Sequence, residues 1–124
     1  MEKAIILIVE DEALLRMNAF QMLEDAGYAV VEAGNADEAI RILESRNDIR
    51  AVFTDITMPG SMDGWKLAHA IRGRWPPIHL ILTSGLKVPE GDLPENGRFI
   101  PKPYSPEEVT TVLRELFGAQ LRSP

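Results

Sequence analysis

Cysteine is absent from the 124 residues, which excludes disulfides, thiolate nucleophiles and cysteine-ligated zinc or iron–sulfur centres. Long apolar runs are missing as well. The longest, Ala4 to Val9, is far too short to span a bilayer, and no basic-then-apolar leader pattern marks the N-terminal stretch. Histidine is scarce: His69 and His79 lack a second ligand at metal-binding spacing, so both read as structural or exposed. Basic charge is in deficit, with 13 Lys and Arg against 19 Asp and Glu for a net charge of −6. That balance argues against a nucleic-acid or anionic-membrane surface. Neither a glycine-rich phosphate cradle nor a Walker A pattern follows the first apolar run. What is present, 45% hydrophobic and 26% charged residues, is the composition of one compact globular domain with enough apolar material for its own core. A cytoplasmic location is the expectation.

Short β-like runs alternate with amphipathic helical stretches. Ala4–Val9 is a continuous, β-branched-rich run, as expected of a strand buried on both faces. A helix follows from about Ala13 to Ala26, with Leu15, Ala19, Met22, Leu23 and Ala26 as its inward side and Gly27 as its stop. Tyr28 to Ala33 reads as a second strand. Asn35 caps a second helix whose Ala36, Ala39, Ile40 and Leu43 share one face. Arg50 to Asp55 forms a third strand, and a Pro/Gly-rich loop leads to a third helix over Trp65 to Arg72 with Leu67, Ala68 and Ile71 inward. Ile78 to Thr83 and Phe99 to Pro101 are the last strands. The final helix carries a capping box, Ser105 with Glu108, and Pro106 at its first position. Two prolines and three glycines between Gly85 and Gly97 allow at most a single helical turn there.

Such alternation implies right-handed crossovers, a parallel sheet and helices on both of its faces. In open parallel sheets functional groups gather at the carboxyl ends of strands. Here those ends carry Glu10-Asp11-Glu12, Asp55, Thr83-Ser84 and Lys102. If these strands are neighbours, the side chains converge on one rim. Crowded carboxylates repel and call for a hard divalent cation with oxygen ligands, such as Mg²⁺. Asp55 would then be a nucleophile toward phosphorus, with Lys102 pairing the product and the Thr83 hydroxyl donating to it.

Val9-Glu10-Asp11, Asp55 with Met58-Pro59, Met62-Asp63-Gly64, Leu82-Thr83 and Lys102-Pro103 occur in order at predicted strand ends. Together they resemble the receiver domain of bacterial response regulators, over essentially the whole chain. The resemblance implies a flavodoxin-like, doubly wound five-stranded parallel sheet of order 2-1-3-4-5, with the fourth helix of the family short or absent. It implies phosphorylation of Asp55 by a histidine kinase or histidine phosphotransfer protein. Mg²⁺ or Mn²⁺ would be held by Asp11, Asp55 and the Thr57 backbone carbonyl, with Glu10 assisting. Lys102 is the implied phosphate-binding lysine, in a cis Lys102–Pro103 bond. Thr83 and Phe99 form the implied switch pair, with Ser84 a candidate to share that role. The loop Pro59 to Gly64 is one residue longer than the family's usual one.

The expectation is a signalling domain that dephosphorylates itself, rather than an enzyme with turnover. It occupies residues 1–124 without an output domain, as a monomer or weak dimer. It would signal through an unidentified protein target or act as a phosphate sink. Gly85–Gly97 is expected to become more ordered on phosphorylation. Three alternatives remain. A Mg²⁺-dependent phosphohydrolase with an aspartyl nucleophile would place a second acid where Thr57 stands. A flavodoxin-like ligand binder would need a phosphate cradle. A pseudo-receiver would act by protein interaction alone, without the acid and lysine set.

Overall fold

The computed structural model describes residues 3–58, 62–85 and 93–118. Their elements run β1 (Ile5–Val9), α1 (Ala13–Asp25), β2 (Ala29–Ala33), α2 (Ala36–Ser45), β3 (Ile49–Asp55), α3 (Gly64–Arg74), β4 (His79–Ser84), β5 (Arg98–Pro101) and α4 (Pro106–Phe117). The strands form one sheet in the order β2-β1-β3-β4-β5, every pairing parallel. This is the flavodoxin-like arrangement expected.

Alternation along the strands divides the core into two layers. Leu7, Val9, Val52, Leu80 and Leu82 point to one face, where they pack with Leu43 of α2 and Leu67, Ala68 and Ile71 of α3. Ile6, Ile8, Ala51, Phe53, Ile81 and Ile100 point to the other, against Ala19 and Leu23 of α1 and Val109 and Leu113 of α4. The continuous apolar run of β1 is thereby explained, since it is covered on both sides.

Local chemistry sets three of the four helix starts among the described residues. Asn35 Oδ1 accepts from the Glu38 amide at 2.8 Å and Asp63 Oδ1 from that of Lys66 at 2.9 Å. In α4 the Ser105 hydroxyl accepts from the Glu108 amide at 3.2 Å while the Glu108 carboxylate accepts from the Ser105 amide at 3.1 Å. Gly27, at φ +101°, lets the chain leave α1 in the left-handed region.

Some expectations shift. Leu15 is 39% exposed and Ala26 lies at the surface, so the inward face of α1 is Ala19 and Leu23 with Met22 half-buried. Tyr28 precedes β2 instead of opening it. It is buried, with its ring 6.0 Å from that of Phe117. Helix α3 is longer than expected at both ends. Between β4 and β5 the described residues form a turn closed by the Gly97 amide donating to the Pro94 carbonyl at 2.8 Å, with no helix among them. Residues 86–92 lie outside the described residues. The expected limit of one helical turn over Gly85–Gly97, and the ordering of that stretch on phosphorylation, therefore fall largely outside them too.

Candidate functional site

Counting on by twos from the core places the site. Ile6 and Ile8 lead to Glu10, Ala51 and Phe53 to Asp55, Ile81 to Thr83, and Ile100 to Lys102. All four polar residues thus share the parity of the α1/α4 face. Pairing of Val9 with Thr54 and of Asp55 with Thr83 sets Glu10, Asp55 and Thr83 level, while Lys102 follows two residues after Ile100, the partner of Thr83, and its long side chain reaches back to Asp55. Where the helices no longer cover the strand ends, the apolar series turns polar.

Asp55 is only 8% exposed and Glu10 only 7%. Asp55 Oδ1 accepts from the Thr57 amide at 3.0 Å, and its Oδ2 accepts from Lys102 Nζ at 2.6 Å. The same ammonium lies 3.5 Å from Glu10 Oε1, while Glu10 Oε2 accepts from the Glu12 amide at 3.2 Å. Burial raises the Glu10 carboxyl above its ordinary value. The Glu12 amide and Lys102 pull it back, and the charge of Asp55 and the neighbouring Asp11 add to the rise. At Lys102 burial works against the charged form. The hydrogen bond to Asp55 and the charges of Asp55 and Glu10 outweigh it, so the ammonium is held above the ordinary lysine value.

A cavity of about 350 Å³ opens here, lined by Glu10, Asp11, Glu12, Asp55, Lys102 and Ser84 among others, with Leu15 at its rim. Thr57 also lines it; residues 59–61 of the following loop lie outside the described residues. Beside Asp55, the Thr83 hydroxyl is buried and has no hydrogen-bond partner among the described residues. A buried polar atom without a partner is costly, so a further hydrogen bond to this oxygen would be favourable. Phe99 is placed differently. It pairs with Leu82, half-buried in the α2/α3 layer, on the face opposite Thr83. The Lys102–Pro103 bond is cis.

A family model described as "Response regulator receiver domain" matches residues 6–114. The chain belongs to the response regulator receiver family. It is similar to the sensor kinase CckA of Brucella abortus, 34% identical over 122 residues that are 94% of this chain and 13% of the kinase. It is also similar to the transcriptional regulatory protein ResD of Bacillus subtilis, 36% identical over 90% of this chain and 47% of that protein. The receiver thus spans less than half the length of either relative. Among solved structures, the response regulator TrrA from Thermotoga maritima, in complex with Mg(2+)-BeF, superposes with a TM-score of 0.82 at 28% identity, covering 94% of this chain and 99% of that one.

Two-component signalling is accordingly the context of this receiver, whose family is a signalling family. No helix among its described residues is long and apolar enough to cross a membrane. The residues present fit a hard divalent cation by their donor chemistry. Among the described residues the cavity lining carries four carboxylates, Glu10, Asp11, Glu12 and Asp55, and the ammonium of Lys102. No three of the described His, Asp or Glu side chains are close enough together to grip an ion by themselves.

Two participants escape a reading of the sequence. Arg16 of α1 reaches back to the carboxyl end of β1, and Tyr104 packs its ring 5.6 Å from that of Phe53 beneath the site. Arg16 leaves one faint signal. A cation near a helix N-terminus opposes the helix dipole, so it calls for a tertiary partner. Tyr104 leaves none, because an aromatic two residues beyond Lys102 reads equally well as core.

Proposed function

We propose that this receiver accepts a phosphoryl group on Asp55 from a histidine kinase or histidine phosphotransfer protein, in a Mg²⁺- or Mn²⁺-dependent reaction in the cytoplasm. The observation that carries the proposal is the state of the Asp55 carboxylate. It is buried, fixed at one oxygen by the Thr57 amide and at the other by Lys102, and it sits beside a hydroxyl without a partner among the described residues and a surplus of acids.

In the transfer, an Asp55 oxygen attacks the phosphorus of a phosphohistidine. The P–O bond forms as the P–N bond breaks, and the imidazole leaves with the bonding pair. Lys102 then exchanges its carboxylate partner for a phosphoryl oxygen, and the Thr83 hydroxyl donates to another. When bound by Asp11, Asp55 and the Thr57 carbonyl, with Glu10 assisting, the divalent ion offsets the negative charge of phosphate and carboxylates. Hydrolysis reverses the load: water attacks phosphorus, the Asp55 carboxylate leaves, and inorganic phosphate departs. Engagement of Thr83 biases two conformations, with Phe99 and Ser84 as further candidates in the switch.

Incubation with acetyl phosphate and Mg²⁺, followed by intact-mass measurement, is the test. Wild type is expected to gain one phosphoryl group and Asp55→Ala none. Equal modification of the two proteins, or none in wild type with either acetyl phosphate or beryllofluoride, would refute it.

A further inference from the structure

We propose that Arg16 is a positioning residue for the acidic site, acting through the backbone of Glu10 instead of touching the phosphoryl group or the metal. The inference rests on the phospho-acceptor reading above. At the end of β1 the chain must leave the sheet and present Glu10 and Asp11 on consecutive residues. Two contacts fix it there. The Glu10 amide donates to the Ala33 carbonyl of β2 at 3.1 Å, and the Glu10 carbonyl accepts from Arg16 Nη1 at 2.8 Å.

The guanidinium is itself aimed by its second contact, since Arg16 Nε donates to Glu32 Oε1 on β2 at 3.0 Å. Its side chain is 22% exposed, against 48% for Glu32. The guanidinium also passes close to Gly34, where a Cβ would lie 3.4 Å from Arg16 Nη1. The planar fork thus ties α1, the end of β1 and β2 together at the residue that precedes Asp11, a geometry that a lysine cannot reproduce. The Arg16–Glu32 contact considered alone is a half-exposed ion pair of small worth. The part-buried bond to the Glu10 carbonyl is the one that bears on the site.

The positioning role separates from a charge effect by sign. Arg16 is a cation near a cluster of carboxylates, so acting by charge alone it would repel a divalent ion, and its loss would tighten binding. Acting as a clamp, it favours binding, and its loss weakens it. Groups that orient metal-binding residues typically contribute about 10–100-fold in affinity.

The test is calorimetric titration of wild type, Arg16→Gln, Arg16→Lys and Glu32→Gln with MgCl₂, with amide hydrogen exchange of the metal-free proteins over Glu10–Ala13. Arg16→Gln is expected to raise the Mg²⁺ dissociation constant about tenfold and to speed exchange in that loop. Arg16→Lys, which keeps the charge, is expected to weaken binding by about threefold or more, and Glu32→Gln by less than about twofold. Should Arg16→Gln not fold, the Arg16→Lys value decides. Unchanged or tighter Mg²⁺ binding in a folded Arg16 variant overturns the proposal while leaving the phospho-acceptor reading intact. Absence of saturable Mg²⁺ binding by wild type overturns both.

Discussion

Two glycines of α3 are expected to respond to the same substitution with opposite signs. An ideal Cβ built on Gly64 falls 1.8 Å from the Asp55 carbonyl oxygen and 2.9 Å from Ile56 Cα. Real Cβ atoms essentially never approach within 3.0 Å, so Gly64→Ala demands about 1.2 Å of retreat from backbone that has nowhere to go. The retreat would break the bond from the Gly64 amide to the Ile56 carbonyl, 2.8 Å long. It would also lift Leu67, Ala68 and Ile71, all fully buried, off the sheet. Overpacking of about 1–3 kcal/mol and a lost hydrogen bond of about 1 kcal/mol together put the cost near 3 kcal/mol. That is a large part of the roughly 5–15 kcal/mol that holds a domain of this kind together. At Gly73 a Cβ meets nothing within 4 Å, and Ala there should stabilise by up to about 1 kcal/mol through helix propensity. Urea unfolding of both variants is the assay. With a slope of about 1–3 kcal/mol per molar, the Gly64→Ala midpoint should fall by at least about 1 M and the Gly73→Ala midpoint should rise slightly. A Gly64→Ala protein within about 1 kcal/mol of wild type would show that the close approach of α3 to β3 does not constrain this position.

Lys102→Met takes the ammonium from a nearly buried carboxylate. The metal-free protein should lose about 1–2 kcal/mol, discounted because Lys102 is partly exposed. Chemical denaturation should show that deficit shrink in Mg²⁺, and an unchanged midpoint would contradict the pairing. Ser105→Ala removes half of the capping box of α4 and should cost about 1 kcal/mol, or about 3–5 °C in calorimetric midpoint. An unaltered midpoint would mean that water serves the Glu108 amide equally well. Glu10 gives a pH signature. Its carboxyl binds its proton more tightly in the folded than in the unfolded chain, because burial raises its pKa. Its contribution therefore favours the fold below the ordinary carboxylate value and is lost as pH rises through the raised one. Glu10→Gln should accordingly raise metal-free stability at neutral pH and flatten its fall across that window. Parallel pH curves for the two proteins would exclude the burial effect.

Much of this fold is legible one segment at a time, and the reason is local physics. The stop at Gly27 depends on one residue's freedom to reach positive φ, and the start of α4 on Ser105, Pro106 and Glu108. Both can be read without knowing what they pack against. The inward faces of α3 and α4 follow from a 3.6-residue period. Leu15 and Ala26 defeated the same rule in α1, because a period assigns a face but not the extent of the surface it meets. Leu15 has the right phase and is still 39% exposed.

The site divides in the same way. Its constituents, acids after β1 and at the end of β3, hydroxyls at the end of β4 and a lysine after β5, are properties of strand ends and can be read along the chain. Their companionship is not. That Lys102 takes Asp55 Oδ2, that Thr83 lies beside it without a partner among the described residues, and that Arg16 reaches the Glu10 carbonyl all depend on strand order and register. Those arise from hydrogen bonds between segments tens of residues apart. Sequence alone therefore determined which chemical groups stand at the carboxyl ends of the strands. Tertiary structure decided which of them meet, because a one-residue slip of β3, β4 or β5 would turn Asp55, Thr83 or Lys102 to the opposite face.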